Sequence, residues 1–367
     1  MARRLLNLYA AFSAALILAV LLHCPKLCAD QRPLVKIGLI YPLSGPMSSF
    51  GEDMAKAIPL LEKRFNSSQS KYRFKIIPED GQFGHSNASI TAAKKLVEAD
   101  GVRFLAVGSS GEILQIAPFV ESSQVLAVAG FASHPDVKKA GDFIFRTYID
   151  AGRGIDLVAA DLHSKGYKRL AVISEESSFT LAIKNCLEET LGPMIIAQED
   201  FALAEGDYRS LIARVKSRNP DIYYLNTATP ASFIALFRQL KDNGVKEPLY
   251  VYYTPSLKDV QDSLGAALNG TLYLDYPETA ESEDFKEFLK EFEKMTGAPP
   301  RAPFNFRTNY NAVKVIFDGI MQAGPDAPKV KDYLYTYNRP GAAGVLSFDG
   351  NGDAADLNLV LKTYGSR

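Results

Sequence analysis

The chain has 367 residues, 47% apolar, 11% aromatic and 23% charged, with 41 Lys and Arg against 42 Asp and Glu. That length favours two domains, because one hydrophobic core rarely grows past roughly 250–300 residues. The apolar share excludes a disordered or fibrous chain, the balanced charge argues against nucleic acid as a partner, and three cysteines are too few for a disulfide scaffold.

Arg3 and Arg4 precede a mostly apolar, uncharged run from Leu5 to Leu22, and a short stretch ends at Ala29 before Asp30. A basic start, an apolar middle and a small final residue read as a secretory signal peptide over residues 1–29. A retained membrane anchor is the rival reading, since the run is about long enough to span a bilayer. Cleavage removes Arg3, Arg4 and Lys26 and leaves 38 basic and 42 acidic residues, with Cys186 as the one remaining cysteine. A lone thiol of this kind reads as buried and inert, with no histidine nearby to activate it.

Strand and helix signals then alternate. Leu34–Tyr41 is a β-rich run. Met54, Ile58, Leu61 and Phe65 mark one face of a helix that Pro59 should kink or shorten. Strands follow at 72–77, 103–107, 125–129 and 143–146, with helices at 87–99 and 112–122 between them. The pattern restarts at Lys168, where KRLAVIS echoes the VKIGLIY that opens at Val35. Further strands are expected at 194–199, 221–225 and 249–253, and helices at 154–165, 179–191, 208–217 and 231–243. Two rounds of this alternation predict an α/β protein of two Rossmann-like lobes, each a parallel sheet covered by helices on both faces. Apolar residues at 285, 288, 289, 292 and 295, and at 310, 313, 317, 320 and 321, have helical spacing and read as core. Strands at 345–348 and 358–364 close the chain, joined by residues 349–356.

Signatures of catalysis and metal binding fail one by one. None of the four histidines has a partner at metal-ligand spacing, and there is no H-E-x-x-H. Gly108-Ser109-Ser110-Gly111 lacks the spacing of a nucleophile elbow, Ser68-x-x-Lys71 lies in a polar turn, and Gly152-Arg153-Gly154 lacks the third glycine of a dinucleotide fingerprint. Asp349–Asp353 imitates the start of a calcium loop, but Ala354 and Val360 stand where Gly and Glu are needed, so it reads as a tight turn. No cofactor, metal or catalytic set is expected. What remains are polar loops at strand C-termini: Ser44-Gly45-Pro46, Ser109-Ser110-Gly111 and Phe131-Ala132-Ser133. Open α/β sheets bind ligands there, and helix N–H groups with serine hydroxyls suit a carboxylate. Ordinary helix capping by the same serines is the competing reading.

The blocks Lys36–Pro46 (KIGLIYPLSGP), Phe50-Gly51, Gly108–Gly111, Phe145-Arg146-Thr147, Tyr310–Val313, Gly341–Gly344 and Phe348–Asp353 carry a resemblance. Over nearly all of the chain after residue 29, the sequence resembles the periplasmic solute-binding proteins of the leucine/isoleucine/valine-binding family. The resemblance implies a three-stranded hinge with crossings near Asp150, Pro277 and Arg339. Residues 30–150 plus 278–335 would then form one lobe, and 151–277 plus 336–367 the other. It implies an exported, periplasmic, non-enzymatic monomer that closes on a small ligand and delivers it to the membrane permease of an ABC importer. A sensory module signalling to a membrane receptor is the alternative.

The resemblance also implies site residues. Hydroxyls for a ligand carboxylate align with Ser110 and Ser133, with Ser109 beside the first. A carbonyl for a ligand ammonium aligns with Phe131, an acid at the first crossing with Asp150, and aromatic wall positions with Phe50 and Phe179. The family's second-lobe Glu would fall within residues 253–256, where this chain has Tyr253 and no acid. That departure keeps aromatic acids and amides open beside amino acids. The family's first-lobe disulfide is missing too, since residues 81–85 and Ser109 hold no Cys.

Overall fold

A computed structural model describes residues 30–67, 69–83, 87–203, 205–277 and 281–366. The expected signal segment, Ser68 and His85 lie outside the described residues. The first sheet holds five strands, all parallel: β1 (Leu34–Tyr41), β2 (Arg73–Asp80), β3 (Phe104–Ser109), β4 (Leu126–Phe131) and β5 (Ile144–Arg146), in the order β2-β1-β3-β4-β5. Helices α1 (Ser49–Phe65), α2 (Ala88–Lys94) and α3 (Ser110–Ser122) connect them. Every residue of β3, β4 and β5 is buried. Burial on both faces is why these strands read as unbroken apolar runs.

The second lobe repeats the plan. It holds α4 (Ala151–Lys165), β6 (Leu170–Glu175), α5 (Ser178–Leu191), β7 (Ile195–Phe201), α6 (Arg209–Lys216), β8 (Ile222–Asn226), α7 (Pro230–Asp242), β9 (Leu249–Val251), α8 (Lys258–Leu264) and β10 (Leu272–Asp275). The chain then returns to the first sheet as α9 (Glu283–Thr296), α10 (Pro303–Ala323) and α11 (Ala327–Leu334), with α10 packed on β3 and β4. A hairpin of β11 (Asn338–Gly341) and β12 (Gly344–Ser347) follows. Finally β13 (Val360–Thr363) pairs antiparallel with β10, completing a sheet of order β13-β10-β9-β8-β6-β7.

Two of the expected features sit differently. Pro59 lies inside an unbroken 17-residue α1. Its ring faces solvent, so the backbone carbonyl that loses its partner can be hydrated. The two closing strands are not neighbours: 344–347 belongs to the hairpin, and 360–363 to the edge of the second sheet. The hairpin and the turn after it hold to the first lobe. Ala342 N–H donates to Asn311 Oδ1 at 2.8 Å, and Arg146 N–H to the Gly352 carbonyl at 2.9 Å. The chain reaches the second sheet after Asp353, some way beyond the Arg339 position expected for the third crossing.

Arg146 explains how the hinge is held. Its side chain is fully buried at the end of β5. One guanidinium nitrogen donates to the carbonyls of Ala132 (3.1 Å) and His134 (3.0 Å). The other pairs with Asp150 at 3.0 Å on the first crossing and with Asp353 at 2.5 Å on the third. From the second lobe, Arg153 donates to the carbonyls of Ala354 (3.1 Å) and Leu357 (2.6 Å). Two arginines thus tie the crossings together where the sequence offers no disulfide. Cys186 is buried in α5, and burial pushes its thiol up to about 11, as an inert structural cysteine requires.

Candidate functional site

The cleft between the lobes starts at α3. Ser109 is extended and caps the helix, and the capping box is complete. Ser109 N–H donates to Glu112 Oε2 at 2.7 Å, while Glu112 N–H reaches Ser109 Oγ at 3.5 Å. The Ser109 side chain is therefore occupied by the helix end. Ser110 Oγ accepts from His134 N–H at 3.2 Å and so joins the β3 loop to the β4 loop. Ser133 is fully buried; its carbonyl accepts from Ala151 N–H, and its hydroxyl has no partner.

Helix α5 of the second lobe begins directly opposite. Ser177 caps it, and the Ser178 Oγ would lie 3.1 Å from a Cβ placed on Gly111. Two helix N-termini, each with unpaired N–H groups and a partial positive charge, thus meet at Gly111 and Ser178. Glycine at 111 permits that approach. A cavity of about 350 Å³ opens beside this junction, lined from both lobes by Ser109, Gly111, Glu112, Ser177 and Ser178 among others.

Inward of that junction the lobes meet through aromatic rings. Phe131 stacks with Phe50 at 5.8 Å and lies 5.4 Å from Phe179 and 5.3 Å from Tyr253. Tyr148 approaches Phe131 edge-on at 4.9 Å, and Phe304 of α10 stacks on Tyr253 at 5.1 Å. All of these rings are buried. Phe50, Phe131, Phe179 and Tyr253, far apart in sequence, therefore share one cluster, with Ser133 two residues beyond Phe131. The sequence reading missed Tyr148, Tyr252 and Phe304, whose aromatic character was visible but not their convergence.

The acids near the cleft are already engaged. Asp150 pairs with Arg146 and caps α4 by accepting from Gly152 N–H at 2.8 Å. Glu175 is buried and accepts from Ala228 N–H, Thr229 N–H and the Ser232 hydroxyl, which fixes the loop before α7. Glu112 is buried with Oε1 unpartnered, and burial pushes its carboxyl up to about 8, so it holds its proton at neutral pH. A Cβ at Gly81 would sit 2.3 Å from that oxygen, so the backbone closes tightly over it. Among the described residues no group of His, Cys, Asp or Glu is arranged to hold a metal ion.

The raised Glu112 carboxyl has a thermodynamic consequence. Below the ordinary glutamate range both folded and unfolded chains hold this proton. Between that range and about 8 the unfolded chain has released it and the folded chain has not, so the linkage lowers folding stability as pH rises. Urea unfolding at pH 5 and pH 8 should show a smaller loss for Glu112→Gln than for the wild type. Glutamine keeps the cap but cannot ionise. Equal losses in the two proteins would contradict the assignment.

Comparison with known proteins places this architecture. A family model described as periplasmic binding protein matches residues 34–360. The chain belongs to the periplasmic binding protein family. The chain is 26% identical over 361 residues to the Leu/Ile/Val-binding protein BraC3 of Rhizobium johnstonii, covering 95% of each. Its fold matches the leucine-binding protein LivK of Thermotoga maritima with a TM-score of 0.78 at 22% identity, over 90% of this chain and 96% of that one. It also matches a solute-binding protein of an ABC transporter from Rhodopseudomonas palustris, solved with 4-hydroxybenzoate. There the TM-score is 0.81 at 18% identity, over 91% and 94% of the two chains. The two-lobed α/β fold is thus that of the family's type I members, and no described helix is long and apolar enough to cross a membrane.

Proposed function

We propose that this chain is the periplasmic substrate-binding component of an ABC importer, acting as a monomer, and that it holds a small carboxylate between its lobes, an aromatic acid in preference to a branched-chain amino acid. The observation that carries this reading is the meeting of two helix N-termini at Gly111 and Ser178 beside a buried aromatic cluster. Converging N–H groups and dipole ends attract an anion without a buried cation. Ser110 and Ser133 would add hydroxyl donors, and Phe50, Phe131, Phe179 and Tyr253 would enclose a flat apolar body. An α-ammonium finds no counter-charge here, because Asp150 and Glu175 are engaged and Glu112 keeps its proton. A buried, unpaired ammonium is costly. Relatives that bind amino acids and others that bind hydroxybenzoates share this fold.

Closure of the lobes would bury the ligand and present one composite surface to the permease. Arg301 fits such a closing contact. It donates to Asp259 of the second lobe at 2.6 Å and to Glu52 of the first at 3.3 Å. The test is a thermal-shift screen, since a ligand raises the melting temperature according to its concentration relative to the dissociation constant. Benzoate and 4-hydroxybenzoate should shift the melting temperature more than leucine, isoleucine or valine at equal concentration. A shift with the amino acids alone would overturn the aromatic-acid reading.

A further inference from the structure

Asn305 stands out among the buried polar groups. It lies in the first turn of α10, is fully buried, and has neither its amide oxygen nor its amide nitrogen engaged in an aligned hydrogen bond. Its neighbour in sequence, Phe304, stacks on Tyr253 at 5.1 Å and on Tyr276 at 4.7 Å. Its amide is close enough to the Tyr253 hydroxyl to favour the ionised phenol, against the larger opposing effect of burial. Around the same rings, the hydroxyls of Tyr148, Tyr252 and Tyr276 are buried and unpartnered as well. The helix junction at Gly111 and Ser178 lies on the Phe131 and Phe179 side of Tyr253, while Asn305 lies on the Phe304 side.

A buried carboxamide with donor and acceptor both unused is expensive, at about 1–3 kcal/mol for each unsatisfied group. A leucine of similar volume would fill the same space without that cost. Function is the usual reason for keeping such a residue, because the unpaired groups then discriminate between guests. We propose that Asn305 forms a polar subsite at the hinge end of the cleft, and that it selects ligands carrying a hydroxyl or amide on the end remote from the carboxylate. This deepens the carboxylate reading above and rests on it. The carboxamide offers one acceptor and two donors, so it can receive a phenolic hydroxyl in either sense. A methyl group of the same size would leave it unpaired.

Two measurements on Asn305→Leu test the subsite. The first is calorimetric titration of the wild type and the variant with benzoate, 4-methylbenzoate and 4-hydroxybenzoate. The wild type should bind 4-hydroxybenzoate at least about 10-fold more tightly than 4-methylbenzoate, and the variant should lose that preference while still binding benzoate. Equal wild-type affinities, or a variant that keeps the preference, would overturn the subsite while leaving the carboxylate reading intact. The second is the melting temperature of the ligand-free variant. It should equal or exceed that of the wild type, because no apo hydrogen bond is lost. A clear drop would show that the amide has a structural partner, and would overturn the proposal whichever ligand binds. Failure of all three benzoates to bind the wild type would instead remove the aromatic-acid reading, and this inference with it.

Discussion

Replacing Ser110 and Ser133 together by alanine should lower affinity for an aromatic carboxylate by about 10²–10⁴-fold, the effect of losing two hydrogen bonds to a charged group at about 1.5–3 kcal/mol each. The two serines are not equivalent in the ligand-free protein. Ser110 Oγ accepts from His134 N–H, so its loss strands a backbone donor and should cost some stability. Ser133 Oγ has no partner, so Ser133→Ala alone should leave the melting temperature unchanged. The single Ser133 variant therefore separates binding from folding. Its affinity should fall about 10-fold or more in a calorimetric titration of a protein that melts like the wild type. Unchanged affinity in both variants would remove the serines from the site.

Arg146→Met should be the most destabilising single change in the hinge. The guanidinium is fully buried and serves two carbonyls and two carboxylates. Methionine leaves Asp150 and Asp353 without their counter-charge in a largely dry place. Breaking such an arrangement from one side costs about 3–5 kcal/mol. Burial already pushes the Asp353 carboxyl above its ordinary range and Arg146 opposes this, so without Arg146 the acid should titrate higher still. Urea denaturation at neutral pH measures the loss. A change below about 1 kcal/mol would mean that packing, and not this ion-pair network, holds the crossings.

Much of the fold was legible because buried parallel strands leave a plain signature. Residues 34–41 form the strand that the apolar run predicts, and the second opening at Lys168 leads into β6. Short or isolated elements left little signal. The four residues of β10, the seven of α8 and the eight of α11 are too brief for periodicity to declare itself. Pro59 misled because its cost depends on whether the orphaned carbonyl meets water, which only the fold decides.

The site was legible in part, and for a related reason. Loops at strand C-termini can be read from the alternation of strand and helix, which brought out Ser109, Ser110, Phe131 and Ser133. What occupies each side chain is set by partners far along the chain. Asp150 looks available in sequence, but its partner Arg146 is also bound to Asp353, 207 residues further on. Ser109 looks like a ligand donor, but the helix it begins claims its side chain, as the capping reading allowed. Glu112 and Asn305 carried no sequence signal, because a glutamate or asparagine on a helix is ordinarily a surface residue. Only their burial without partners marks them.

The central claim is that this cleft recognises a carboxylate on an aromatic body and has no place for an α-ammonium. Calorimetric titration of the wild type with 4-hydroxybenzoate and with leucine, in the same buffer at neutral pH, tests it most directly. The account predicts saturable one-to-one binding of 4-hydroxybenzoate and at least about 100-fold weaker binding of leucine, as an unpaired buried ammonium requires. Tight one-to-one binding of leucine, with 4-hydroxybenzoate inert, would contradict it.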